Sequence, residues 1–152
     1  DLEPPAGLIG RQGRTLSHDP ERVASLARVF NEGLASWCVA GCLKHFPGLG
    51  WVGPDTHQEL PLLDPGEAEL ERQIGVFEKL GPDFPAVMMA HVVVPGLGDA
   101  ERPASLSPTI VDMAAALGAL VRRLERHKLR ELERYRAFGR HFRLQHGHDS
   151  DF

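Results

Sequence analysis

At 152 residues, with 42% hydrophobic and 25% charged residues, the chain has the length and composition of one globular domain with a real core. Its formal net charge of −4 supplies no attraction toward nucleic acid or an anionic membrane surface. No apolar run approaches the roughly 18–20 residues of a spanning helix, and no basic-then-apolar leader opens the chain. The expectation is a cytoplasmic protein with no membrane partner, no nucleic-acid partner and no cofactor or metal.

The chain opens on a segment rich in turn formers. Pro4, Pro5, Gly7, Gly10 and Gly13 predict a loop over residues 1–13, with no room for a regular element. Arg14 follows as a surface arginine. Because the first residue is Asp1 and not Met, the natural start is expected to lie upstream. Asp19, Pro20 and Glu21 then form a helix start: a capping carboxylate, a proline suited to the first helical position, and an acid at the positive dipole end. Val23, Leu26, Ala27, Phe30 and Leu34 recur at helical spacing and predict the inward face.

The apolar run Cys38–Leu43 is short enough for a buried strand. Its two cysteines, Cys38 and Cys42, lie on one face of such a strand, too far apart along it to bridge. They are read as reduced core residues, in keeping with a cytoplasmic setting. The strand is expected to end at Lys44 and His45 and to break into Pro47-Gly48-Leu49-Gly50. Helix, short connection and buried strand is the rhythm of parallel α/β folds.

A second helix opens at Asp64-Pro65-Gly66-Glu67, turns Leu70, Ile74, Phe77 and Leu80 inward, and stops at Gly81-Pro82. A second buried strand is predicted over Ala86–Val94, with His91 inside it as a hydrogen-bonded core residue. Pro103–Pro108 is a loop with a capping serine before a helical start at Thr109. From Met113 to Phe142 the spacing predicts one long amphipathic helix, with Leu117, Leu120, Val121, Leu124, Leu132, Tyr135 and Phe142 as its stripe. Its arginines alternate with Glu125, Glu131 and Glu133 and are read as a solvated, ion-paired face. His146, His148 and Asp149 are read as a polar terminus, because no second ligand cluster at zinc spacing accompanies them.

The chemistry-bearing stretch is Lys44–Pro61. Asp55 and His57 lie two residues apart in a loop with Gly53-Pro54, so their side chains can converge. A carboxylate beside an imidazole raises its pKa and fixes its tautomer, which makes a proton shuttle near neutral pH. Lys44 and His45 offer donors to hydroxyl or carbonyl oxygens. The combination suits hydrolysis of a polyhydroxylated substrate.

Lys44-His45-Phe46-Pro47-Gly48-x-Gly50, followed by Asp55-Thr56-His57 and Leu60-Pro61, resembles the signature of family 3 glycoside hydrolases of the bacterial β-N-acetylhexosaminidase type. Arg14–Pro20, Pro85–Val92 and Pro103–Pro108 resemble further segments of that family in the same order. The resemblance implies part of a (β/α)8 barrel, its middle strands only, over residues 1–111. Residues 112–152 would be a basic helical tail of uncertain origin. It implies retaining hydrolysis of terminal β-linked N-acetylglucosamine from saccharides or muropeptides in cell-wall recycling. By position, Arg14, Lys44 and His45 would bind sugar hydroxyls and the N-acetyl group. His57, oriented by Asp55, would be the general acid/base.

Two departures stand out. Leu49 occupies a position where the family often has histidine. No Ser-Asp-Asp-like strand end supplies a nucleophile, and Asp112-Met113 lacks a preceding apolar strand. The expectation is a fragment, or a chain in which a deletion or frameshift has joined unrelated ends. Such a chain would turn over poorly, and its open barrel edges invite self-association. The alternatives are a non-catalytic amino-sugar-binding or scaffold protein, and partner or nucleic-acid binding through Met113–Phe142.

Overall fold

The computed structural model describes Leu2, residues 7–53 and residues 60–117. All of these belong to the first of the chain's two units, Asp1–Val121. The long helix expected beyond residue 117, its arginine face, and the polar terminus at His146–Asp149 lie outside the described residues.

The described chain is α/β. Helix α1 (Leu8–Arg11) is followed by α2 (Pro20–Ala35), strand β1 (Cys42–Phe46), α3 (Glu67–Leu80), a 3₁₀ turn (Gly81–Asp83), β2 (Ala86–Met89), β3 (Val93–Val94), a second 3₁₀ turn (Pro95–Leu97), β4 (Asp99–Pro103) and α4 (Pro108–Ala115). The turn-rich opening therefore holds a short helix that its glycines do not announce. It is fastened from outside, by the Leu8 N–H donating to the Val52 carbonyl at 2.7 Å.

Helix α2 starts where the sequence predicts, with Asp19 Oδ1 accepting the Glu21 N–H at 2.9 Å and Pro20 at the first helical position. Its inward face differs from the expected one. Val23 and Ala24 are buried, whereas Leu26 and Phe30 are 41% and 65% exposed. Ala27 also packs against the core from a half-buried position, so the helix meets its neighbours through a narrow seam that leaves Leu26 and Phe30 outside it.

The first strand lies further along than expected. Ser36–Cys38 are a turn after α2, Cys38 has φ 58°, and pairing begins only at Cys42. Gly41 is packed so tightly that a Cβ there would overlap the Asn31 carboxamide and come within 3.3 Å of Phe84. Lys44 and His45 thus sit inside β1, and Phe46 ends it. Neither cysteine is in a disulfide, as expected, but both are exposed; they are not core residues.

Strands β1 and β2 pair in parallel, Cys42 with Ala86, Leu43 with Val87 and Lys44 with Met88. Helix α3 is the crossover between them. Its inward face is the predicted one: Leu70, Ile74, Phe77 and Leu80 are all buried. Phe77 meets Phe46 edge-on, ring centroids 5.3 Å apart at 86°. Arg28 and Asp83 form an ion pair at 2.7 Å, Lys79 pairs with Glu21, and Arg72 donates to the His18 carbonyl, so α2 and α3 are also joined at the surface.

The expected strand Ala86–Val94 is broken in two. After Met89 the chain leaves the parallel pair, and Val93–Val94 pairs antiparallel with β4. Val87, Met89 and Val93, for which the sequence offers no obvious cover, are buried within the described residues. Ser107 stands at the N-cap of α4 without a side-chain cap bond, and the helix begins at Pro108. Lys44–His45 and Phe46–Pro47 are cis peptides.

Candidate active site

Both parallel strands end on the same side of the sheet. The Ala90 N–H donates to the Phe46 carbonyl at 2.7 Å, which ties the two ends together. Beyond the loop that leaves β1, the Leu63 N–H donates to the Val93 carbonyl at 2.8 Å, and the Val93 N–H to the Pro61 carbonyl at 3.0 Å. On the near side the loop is held by the Leu8–Val52 bond and by Arg11 Nη2 donating to the Gly53 carbonyl at 2.9 Å. The near flank of the loop is therefore tied to α1 and the far flank to β3. Asp55 and His57 lie between those flanks, in residues 54–59, outside the described residues.

Gly48 shows why the loop needs glycine. Its φ is +146°, and a Cβ there would overlap the carboxamide oxygen of Gln73, a side chain only 1% exposed. The KHFPG turn is thus pressed directly onto α3, and Pro47, Gly48, Leu49 and Gly50 are all buried.

Arg14 and Lys44 are brought together. Both line one cleft of about 280 Å³ beside β1. Arg14 is positioned by its N–H donating to the Ile9 carbonyl at 3.1 Å, and its Nη1 donates to Gln12 Oε1 at 3.0 Å. Leu16, Phe30, Leu43 and Phe84 form much of the remaining wall, so the cleft is apolar away from these two cations. His45, next to Lys44 on the same strand, is half-buried.

His91 is not the core residue the sequence suggests. It follows Ala90 out of the sheet at the strand ends and is exposed. Its Nδ1 lies 2.8 Å from Ser105 Oγ. Ser105 is fixed in turn, its N–H donating to the Ala90 carbonyl at 3.1 Å. The hint was available in the sequence: His91 and Ser105 belong to two separate motif-like segments, Pro85–Val92 and Pro103–Pro108, that the fold joins.

Asp99 is the described residue with a displaced carboxyl pKa, held below the ordinary value of 3.8. The Ser107 hydroxyl contributes most; desolvation, next in size, opposes it, and the backbone N–H groups of Arg102 and Glu101 and the Arg102 charge add to the lowering. Ser107 Oγ is buried without a partner in hydrogen-bond geometry, so it acts as a nearby dipole. The bonds that hold the carboxylate are those from Arg102 N–H at 3.0 Å and Glu101 N–H at 3.2 Å.

Asp112, the one late aspartate that faintly resembles a nucleophile position, lies exposed on α4. Among the described residues no group of three His, Cys, Asp or Glu side chains converges to hold a metal ion. Nor is any described helix long and apolar enough to cross a membrane.

A parallel βαβ unit is a layout in which α/β enzymes carry their sites at the strand ends. Residues 4–114 match the glycosyl hydrolase family 3 N-terminal domain, and the chain belongs to that family. It is 42% identical over 85 residues to the β-hexosaminidase of Bordetella pertussis, covering 54% of this chain and 24% of that one. The crystal structure of native NagZ from Neisseria gonorrhoeae is similar at 38% identity and a TM-score of 0.62, covering 70% of this chain and 31% of NagZ. The same protein in complex with N-trifluoroacetyl-D-glucosamine gives 37% identity and a TM-score of 0.61, with the same coverage. The chain spans about a quarter of the length of the curated relatives it matches.

Proposed function

We propose that the chain carries the sugar-binding and acid–base portion of a retaining β-N-acetylhexosaminidase. Residues 1–111 form the middle of a (β/α)8 barrel, and residues 112–152 a basic helical tail. The parent reaction is hydrolysis of terminal β-linked N-acetylglucosamine, typically from muropeptides during cytoplasmic cell-wall recycling.

The observation that supports this reading is that Arg14 and Lys44 line one cleft beside β1, the strand whose following loop carries Asp55 and His57. Apolar walls suit no sugar hydroxyl, so the amino sugar sits at the polar mouth. Arg14, Lys44 and His45 donate to its hydroxyls and N-acetyl carbonyl. His57, its tautomer set by Asp55, protonates the glycosidic oxygen as the bond to the anomeric carbon breaks. In the intact enzyme an aspartate attacks that carbon; water then releases the sugar with His57 as base.

Asp112 is exposed on a helix and not at a strand end, a placement that argues against it as that nucleophile. Leaving-group protonation does not replace covalent capture. The chain is therefore expected to bind N-acetylglucosamine but to turn over a chromogenic β-N-acetylglucosaminide at close to background. Robust turnover abolished by Asp112→Ala would overturn the assignment.

The open side of the sheet also favours self-association. Among the described residues β1 pairs with β2 alone, and Phe30, which lines the cleft beside β1, is 65% exposed.

A further inference from the structure

We propose that the cleft beside β1 binds a small amphipathic carboxylate, a free single-chain molecule whose apolar part fills the cleft and whose anion meets Arg14. This ligand is distinct from the amino sugar above, which occupies only the polar mouth of the same cleft.

The floor of the cleft belongs to the core. Val23 of α2, Leu43 of β1, and Val76, Phe77 and Leu80 of α3 line it, and each of them is buried. Leu16 and Phe30 stand at the rim, 52% and 65% exposed. Such side chains offer no hydrogen bond to a polyhydroxylated ligand, nor the polar partners that hold an ordered water. They gain instead from any apolar surface withdrawn from solvent. The cleft volume of about 280 Å³ lies just below the range of drug-sized pockets, about 300–1,000 Å³. Its occupant is therefore a short alkyl or aryl group.

The rim sets the charge of that ligand. None of the described residues lining the cleft is acidic, whereas Arg14 and Lys44 both line it. The anion is assigned to Arg14. Its backbone N–H donates to the Ile9 carbonyl at 3.1 Å, and its Nη1 to Gln12 Oε1 at 3.0 Å. Gln12 is a neutral carboxamide, so it positions the guanidinium without cancelling its charge. Lys44 has an interaction of its own and adds only a second positive charge to the lining. A cation beside an apolar floor selects a ligand that is negative at one end and apolar at the other.

Calorimetric titration of the full chain with straight-chain carboxylates, from butanoate to decanoate, tests this. Kd should fall about fourfold for each added methylene, then level off once the cleft is full. Octanoate should bind more tightly than octanol. Arg14→Met should shrink that preference about fivefold while leaving the dependence on chain length. Leu16→Glu should weaken octanoate and spare octanol. Both substituted positions are exposed, so folding is not at stake. An affinity indifferent to chain length, or a preference for octanol, would overturn the proposal. So would a Kd that keeps falling with length and ignores Arg14, which is the mark of surface adsorption. If N-acetylglucosamine binds and octanoate does not, the proposal falls and the sugar reading stands. If octanoate binds and N-acetylglucosamine does not, the proposal stands and the sugar reading falls.

Discussion

Asp99 links the protonation of a single side chain to the hairpin behind the site. Its carboxylate accepts the N–H groups of Glu101 and Arg102 at the start of β4, the strand that leads into Ser105. Because the folded state holds the carboxyl below its ordinary value, this contribution to stability is present above that value and lost as pH falls through the folded one. The urea midpoint of Asp99→Asn should therefore lie below that of the unaltered chain at pH 7, and the two should converge in strongly acid solution. A gap that persists unchanged at low pH would contradict it.

At this scale the sequence was informative about identity and silent about direction. Lys44, His45 and Arg14 stand out by residue type and order, and the fold does set Arg14 beside Lys44 on one cleft. His91 does not stand out, because a histidine within Val and Met residues looks buried. Only the bend after Met89 turns it outward, and that bend depends on bonds from Phe46 and Ser105, distant in sequence. Gly48 is a similar case. Its place in a turn is evident, but the steric reason, a buried Gln73 pressed against it, is a tertiary one.

Among the elements, α3 was fully legible and α2 only half so. A periodic stripe predicts the buried face when another layer covers all of it. Helix α3 meets that condition and α2 does not, so Leu26 and Phe30 remain exposed despite correct spacing. The start of β1 was misplaced because Cys38–Ala40 are apolar without being paired; β-type composition reports a residue's compatibility with a sheet, not its hydrogen bonds. Strand β4, Asp-Ala-Glu-Arg-Pro, carries no apolar alternation at all and exists through pairing with β3.

The joint between α3 and β1 holds the loop in place, and its strength is in the core. Phe77→Ala removes the edge-on partner of Phe46 and should cost about 3–5 kcal/mol. Arg28→Ala removes an ion pair whose side chains are 39% and 45% exposed and should cost about 1 kcal/mol or less. Paired denaturant titrations measure both. Equal losses would mean that the surface pairs, and not the aromatic contact, fasten the helices.

For the molecule as a whole, family membership over residues 4–114 is established, while the chain spans only a quarter of its curated relatives. The ordered motifs made the family legible, since they survive as local sequence. The open side of β1 and the exposed α2 face follow from what the described fold does and does not pair. If self-association covers them, sedimentation should find an oligomer that Phe30→Glu shifts toward monomer. A monomeric unaltered chain at all concentrations would refute that part of the account.

The central claim is that Arg14, Lys44 and His45 hold an amino sugar at the strand ends. Calorimetric titration with N-acetylglucosamine, on the unaltered chain and on Lys44→Ala, tests it most directly. The account predicts saturable binding with a Kd that rises about tenfold or more in the variant, the loss of a charge-assisted hydrogen bond. Absence of binding, or an affinity indifferent to Lys44, would contradict it.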